Sequence, residues 1–74
     1  MIKTANQLIA GETGTVVELT DLAYSARLME MGVLPGSLVK LIRKAPFGCP
    51  LYLQVGPHFL AIREKEATHI VIAS

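Results

Sequence analysis

Prolines and glycines divide this chain so finely that no long element can form. Gly32 and the pair Pro35-Gly36 lie close together, Pro46, Gly48 and Pro50 form a second cluster, and Gly56-Pro57 a third. Proline donates nothing to a hydrogen-bonded ladder, so Pro46 and Pro50 bound strands rather than lie within a central one. The apolar runs left between the clusters, Leu38–Ala45, Leu51–Val55 and His58–Arg63, have the length of short strands joined by tight turns.

The rest of the chain fits that frame. Residues 1–12 read as an extended lead-in with one helical turn around Asn6–Ala10, closed by Gly11. Gly14–Leu19 is rich in β-branched residues and reads as the first strand. Asp21 is placed to cap a helix over Leu22–Met31, and Gly32 falls where a left-handed residue ends a helix. Leu34-Pro35-Gly36-Ser37 fits a type II turn. In the strand that follows, Val39 and Leu41 share one face and Leu38, Lys40, Ile42 and Lys44 the other. Leu51, Leu53 and Val55 alternate inward. Glu64–Thr68 reads as a helical turn, and His69–Ala73 as the last strand.

This order predicts a mainly β domain: a small SH3-like barrel of five strands, with one short α-helix between the first and second and a helical turn before the last. A five-stranded OB barrel usually carries its helix between the third and fourth strands, which disfavours that alternative. With 74 residues and no linker, repeat or low-complexity tract, residues 1–74 form a single domain. Hydrophobic residues make up 51% of the chain, but tryptophan is absent and only two Tyr and two Phe are present, so Leu, Ile and Val must build the core. A closed or nearly closed barrel suits that supply and leaves few exposed edges.

Seven basic and six acidic residues give a net charge of +1. That balance disfavours a nucleic-acid binder, which concentrates positive charge on one face. Lys40, Arg43 and Lys44 are the nearest thing to a cluster, and such residues more often guard a strand edge. The N-terminus lacks the apolar core of a signal peptide, no run is long enough to cross a bilayer, and the single cysteine, Cys49, has no disulfide partner. The expectation is a soluble, cytoplasmic protein with no membrane insertion.

At about 100° per residue, the helix places Leu22, Ser25 and Met29 in one sector and Tyr24, Leu28 and Met31 nearly opposite, with Ala23, Arg27 and Glu30 between them. A helix this short can bury one broad stripe, so one apolar sector is left for a partner or for weak self-association.

The motif Arg27-Leu28-x-x-Met31-Gly32-x-x-Pro35-Gly36, followed by Ala45-Pro46-x-Gly48-x-Pro50, Gly56, Ala61-x-Arg63 and Glu66-Ala67, resembles the ferrous-iron transport protein A (FeoA) family over residues 8–73. The resemblance implies an SH3-like barrel and a non-enzymatic, cytosolic accessory role in bacterial ferrous iron uptake, exerted through contact with FeoB, a membrane permease with a cytosolic GTPase domain. A similar domain is appended to metal-dependent repressors of the diphtheria toxin repressor type, which leaves a metal-sensing regulatory domain as an alternative. A small-barrel RNA binder is a further one, which the charge balance disfavours. Many family members carry aspartate where Cys49 stands, so the resemblance carries no charge-dependent role over to that loop.

Partner contact is expected from Tyr24, Arg27, Leu28, Met29 and Met31 on the helix, with Pro46, Phe47 and Cys49 in the nearby loop. Gly32, Pro35, Gly36, Gly48, Pro50 and Gly56 are assigned to turns and caps. The chain has no phosphate-binding loop of its own. An arginine-finger role for Arg27 is outweighed by a surface ion pair with Glu30. Catalytic chemistry has no support, because nothing in the sequence brings Cys49, His58 and His69 together. The same three residues are weak metal candidates without paired-ligand spacing, so no cofactor is expected beyond at most weak binding of Fe(II) or another divalent ion.

Overall fold

The computed structural model describes residues 1–74, the surroundings of Gly48 excepted. One antiparallel sheet in the order β1-β6-β2-β3-β4-β5 wraps around the core. Its strands are β1 (Ile2–Thr4), β2 (Thr13–Leu19), β3 (Leu38–Lys44), β4 (Leu51–Val55), β5 (His58–Ile62) and β6 (Ile70–Ala73). The helix α1 (Leu22–Glu30) follows β2, and the short α2 (Glu64–Ala67) precedes β6. The expected architecture is present, with a sixth strand added. Ile2–Thr4 pairs with Val71–Ala73, a partnership too short to leave a pattern in the sequence. The helical turn of the lead-in falls at Ala5–Gln7 rather than Asn6–Ala10, because Ala5 and Leu8 are both drawn into the core.

The core is aliphatic. Val16, Leu28, Val33, Val39, Leu41, Leu51, Leu53, Ile62, Ile70 and Ile72 are all buried, with Leu19, Tyr24, Met31 and Leu60 packed around them. The inward alternation of Leu51, Leu53 and Val55 is as expected. The alternation in β3 is not regular throughout. A bulge between Leu41 and Arg43 inserts Ile42 as an extra residue and pairs Arg43 with Tyr52. Strict alternation would set Arg43 on the face of Val39 and Leu41; the bulge turns it outward, beside Tyr52. A second bulge, between Val16 and Glu18, leaves Val17 half-exposed in β2. Bulges sharpen the local twist and bend a strand, which lets so small a sheet curl around one core.

The helix face and the loop beyond β3

The Asp21 carboxylate starts α1 by accepting the amides of Ala23 (3.0 Å) and Tyr24 (3.2 Å), two of the groups a first helical turn leaves unpaired. At the other end Gly32 adopts φ +94°, Gly32 N donates to Met29 O and Val33 N to Leu28 O, both at 3.0 Å. These two bonds form a Schellman cap, and its usual apolar contact is present because Leu28 and Val33 are both core residues. The turn after the cap closes with Ser37 N donating to Leu34 O (2.9 Å), Pro35 exposed at its second place and Gly36 at φ +91°.

With both ends held, α1 presents distinct sides. Leu28 and Ser25 face inward, and Tyr24 and Met31 flank them, partly buried. Leu28 is 0% exposed and therefore offers no docking surface, contrary to its place among the expected contact residues. Ser25 is buried although the wheel grouped it with Leu22 and Met29; its hydroxyl donates to Leu22 O at 3.1 Å, which lets a small polar residue lie inside. The exposed sector consists of Leu22 (90%), Ala26 and Met29 (45%), with Leu34 exposed just beyond the cap. Leu22, Ala26 and Leu34 were absent from the expected contact set. The i, i+4, i+7 spacing of Leu22, Ala26 and Met29 is the signal that could have found them.

The flank toward α2 is tied down. The Tyr24 ring stacks on His69 with centroids 4.5 Å apart, and His69 Nδ1 lies 3.0 Å from Thr20 Oγ1. His69 is half-buried in this contact, not the solvent-facing residue its position suggests. Arg27 Nε lies 3.7 Å from Glu66 Oε2, so the ion pair joins α1 to α2 and not to Glu30. The other oxygen of Glu66, Oε1, accepts the Arg63 amide at 2.9 Å and caps α2.

The segment Ala45–Pro50 forms a 3-10 turn at Pro46–Gly48, closed by Ala45 N donating to Pro50 O at 3.0 Å. Pro46 and Cys49 are exposed, and Phe47 stands wholly in solvent at φ +69°, a conformation uncommon for a bulky residue. This loop is not beside the end of α1. It follows Lys44, which pairs with Leu51, whereas Gly32 lies against His58, which pairs with Val55 at the other end of β4. Leu51 to Val55 spans about 14 Å. Met29 and Met31 therefore do not converge with Cys49, and the expected contact residues divide into a helix face and a separate loop tip.

The weak metal candidates are dispersed too: Cys49 in the loop, His58 beside the Gly56-Pro57 turn, His69 under Tyr24. Among the described residues no three His, Cys, Asp or Glu side chains gather. Lys3 and Glu12 form a second ion pair at 2.7 Å, and the Lys3 ammonium, with the Ile9 amide, holds the Glu12 carboxyl below its ordinary range. No helix of the described residues is long and apolar enough to cross a membrane.

A curled antiparallel sheet, a capped helix after its second strand and an apolar outer helix face define a small SH3-like domain. The FeoA domain model matches residues 3–74, and the chain belongs to that family, which is non-enzymatic and associated with ferrous iron transport. The FeoA protein of Stenotrophomonas maltophilia, a prokaryotic SH3 domain crystallised with zinc, is 33% identical at a TM-score of 0.85, over 96% of this chain and 89% of that one. The FeoA protein of Chlorobium tepidum is 30% identical at a TM-score of 0.85, over 95% of this chain and 68% of that one. A manganese-dependent transcriptional repressor shares the fold at a TM-score of 0.90 and 15% identity; this chain spans 36% of its length.

Proposed function

We propose that this chain is a cytoplasmic accessory protein of ferrous iron uptake that acts by docking on the cytosolic part of a FeoB-like GTPase-permease. The observation that carries the reading is the outer face of α1, where Leu22, Ala26 and Met29 lie in solvent on a helix fixed at both ends. A large apolar residue kept on the surface of a rigid, capped helix is suited to a partner's groove, and methionine adapts to uneven surfaces. Tyr24 and Met31 lie on the opposite flank of α1, packed against the core, and do not belong to this face. Arg27 lies on its edge, held by Glu66, and serves position rather than chemistry.

The test is retention of the protein on membranes containing the permease, with and without guanine nucleotide. Leu22→Asp and Met29→Asp should abolish retention and iron uptake while leaving the circular dichroism spectrum and thermal midpoint unchanged. Folded variants that still bind and still support uptake would place the docking surface elsewhere.

A further inference from the structure

Positive charge is segregated in this chain although its net charge is small. Between Met31 and Arg63 there is no aspartate or glutamate, while Lys40, Arg43, Lys44 and Arg63 all fall there. All six acids lie outside that stretch, with only three of the seven basic residues. The expected role of guarding a strand edge does not hold for Lys40, which is paired with Thr13 on one side and Gln54 on the other. Nor does it hold for Arg43, whose guanidinium lies over Tyr52. These charges need another reason.

The strand register gathers the four cations on one side of the sheet. Lys40 opposes Gln54, which opposes Phe59, and Arg43 opposes Tyr52, which opposes Ala61. Both rows face away from the core, since Leu41, Leu51 and Leu53 at the alternate positions are buried. Lys44 opposes Leu51 and Leu51 opposes Ile62, so Arg63 leaves β5 at the same end as Lys44. The Lys44 ammonium donates to Asn6 O at 3.0 Å, an uncharged partner. Of the acids on adjoining elements, Glu12 is held by Lys3 at 2.7 Å, Glu66 is buried beside Arg27, and Glu64 is followed by Lys65. The chain has two phenylalanines, and neither joins the core. Phe59 is 71% exposed in the Lys40 row, and Phe47 is fully exposed on the loop that follows Lys44. An open groove of about 420 Å³ lies among Ile42, Arg43, Tyr52, Phe59 and Ala61.

We propose that this basic side of the sheet, with the Phe47 loop at its tip, is a contact surface for an anionic lipid bilayer. Lys40, Arg43, Lys44 and Arg63 meet the phosphate headgroups, and Phe47 and Phe59 enter the boundary between headgroups and acyl chains. The spacing of the two rings favours a bilayer over a folded acidic partner. They stand at opposite ends of the patch, where the Gln54 and Leu51 rows alone are about 10 Å apart. A folded protein would need a separate pocket for each ring, whereas a lipid interface admits single projecting side chains anywhere. Single-stranded RNA fits less well, because it stacks on neighbouring free rings. Tyr52, between the two phenylalanines, is covered by the Arg43 guanidinium 4.9 Å from its centroid. A second copy of this chain would set like charges against each other. The residues of this surface are distinct from those on the outer face of α1, and lipid contact does not depend on the docking proposed there.

The test is co-sedimentation of the full chain with vesicles of equal parts phosphatidylcholine and phosphatidylglycerol, with no permease present. The protein should bind these vesicles, bind phosphatidylcholine alone far more weakly, and be released by salt. Arg43→Gln and Lys44→Gln should each weaken binding about fivefold, the loss of one cation beside an anionic surface. Phe47→Asn should weaken it about tenfold through lost apolar burial. Asparagine tolerates the positive φ at that position, so the fold is kept. The chain has no tryptophan, so Phe47→Trp supplies a single reporter whose emission should move to shorter wavelength on anionic vesicles. The proposal is overturned if the protein does not sediment with anionic vesicles, binds phosphatidylcholine equally, or binds unchanged in all three weakening variants. An unshifted emission in bound protein would place Phe47 outside the lipid and overturn it as well. Tighter binding of a labelled oligouridylate would overturn it in favour of nucleic acid, and tighter binding of a labelled polyglutamate in favour of an acidic protein.

Discussion

Gly14 lies in β2 against Ile72 and Ala73 of β6. A Cβ built there would fall well inside 3.0 Å of the Cγ2 methyl of Ile72 and 3.1 Å from the carbonyl oxygen of Ala73. Gly14 has no positive φ, so the cost of Gly14→Ala is packing and not backbone conformation. Ile72 is wholly buried and cannot swing aside. Overpacking of this kind costs about 1–3 kcal/mol, and alanine returns about 0.4–1 kcal/mol by restricting the unfolded chain. The net loss is about 1–2 kcal/mol, against a total stability of roughly 4–11 kcal/mol for a domain of this size. In a domain this small that lowers the thermal midpoint by about 4–16 °C. Urea unfolding of a double-mutant cycle isolates the cause. Ile72→Ala alone costs about 2–5 kcal/mol, but it removes the obstructing methyl and leaves only the Ala73 carbonyl oxygen close by, so Gly14→Ala in that background should cost clearly less than in the wild type. Equal penalties in both backgrounds would refute the close approach of β2 and β6, as would a single variant as stable as wild type.

Leu28→Ala should destabilise the domain by about 2–5 kcal/mol, and Leu22→Ala on the same helix by no more than about 0.5 kcal/mol, measured by chemical denaturation. Gly32→Ala should cost about 1 kcal/mol from its positive φ alone, since nothing but the edge of His58 approaches the added carbon; a neutral result would mean that the cap relaxes. Glu12 titrates below its ordinary range in the folded state, so its contribution to stability is complete above the unfolded carboxyl pKa and is lost as pH falls through the lowered folded value. An NMR titration of the Glu12 carboxyl should show that lowered midpoint, and Lys3→Gln should move it upward; an unmoved midpoint would remove Lys3 as the main cause.

The turns and caps were legible because each rests on local chemistry. Asp21, Gly32 and Pro35-Gly36 act through bonds to residues within a few positions, and neighbouring sequence suffices to place them. The inward face of β4 was legible for the same reason, since alternation is local. The contact face of α1 was only half legible. A helical wheel shows which residues share a sector, not which sector meets the core, and Leu28 rather than Met29 points inward because the sheet lies on that side. The loop tip at Phe47 was legible as a turn, but its distance from α1 depends on strand register, which joins residues far apart in the chain.

By itself the sequence determined the order of elements, their ends and the aliphatic supply for one core, because glycine, proline and capping residues act over a few bonds. It also carried the family motif. Only the tertiary structure decided which residues remain free to act. The bulge at Ile42 turns Arg43 outward onto Tyr52. The register of β3, β4 and β5 sets Lys40 and Phe59 on one outer face. The packing of α1 leaves Leu22 and Met29 in solvent. These outcomes depend on pairings between distant segments, where a shift of one residue exchanges the buried and exposed faces of a strand.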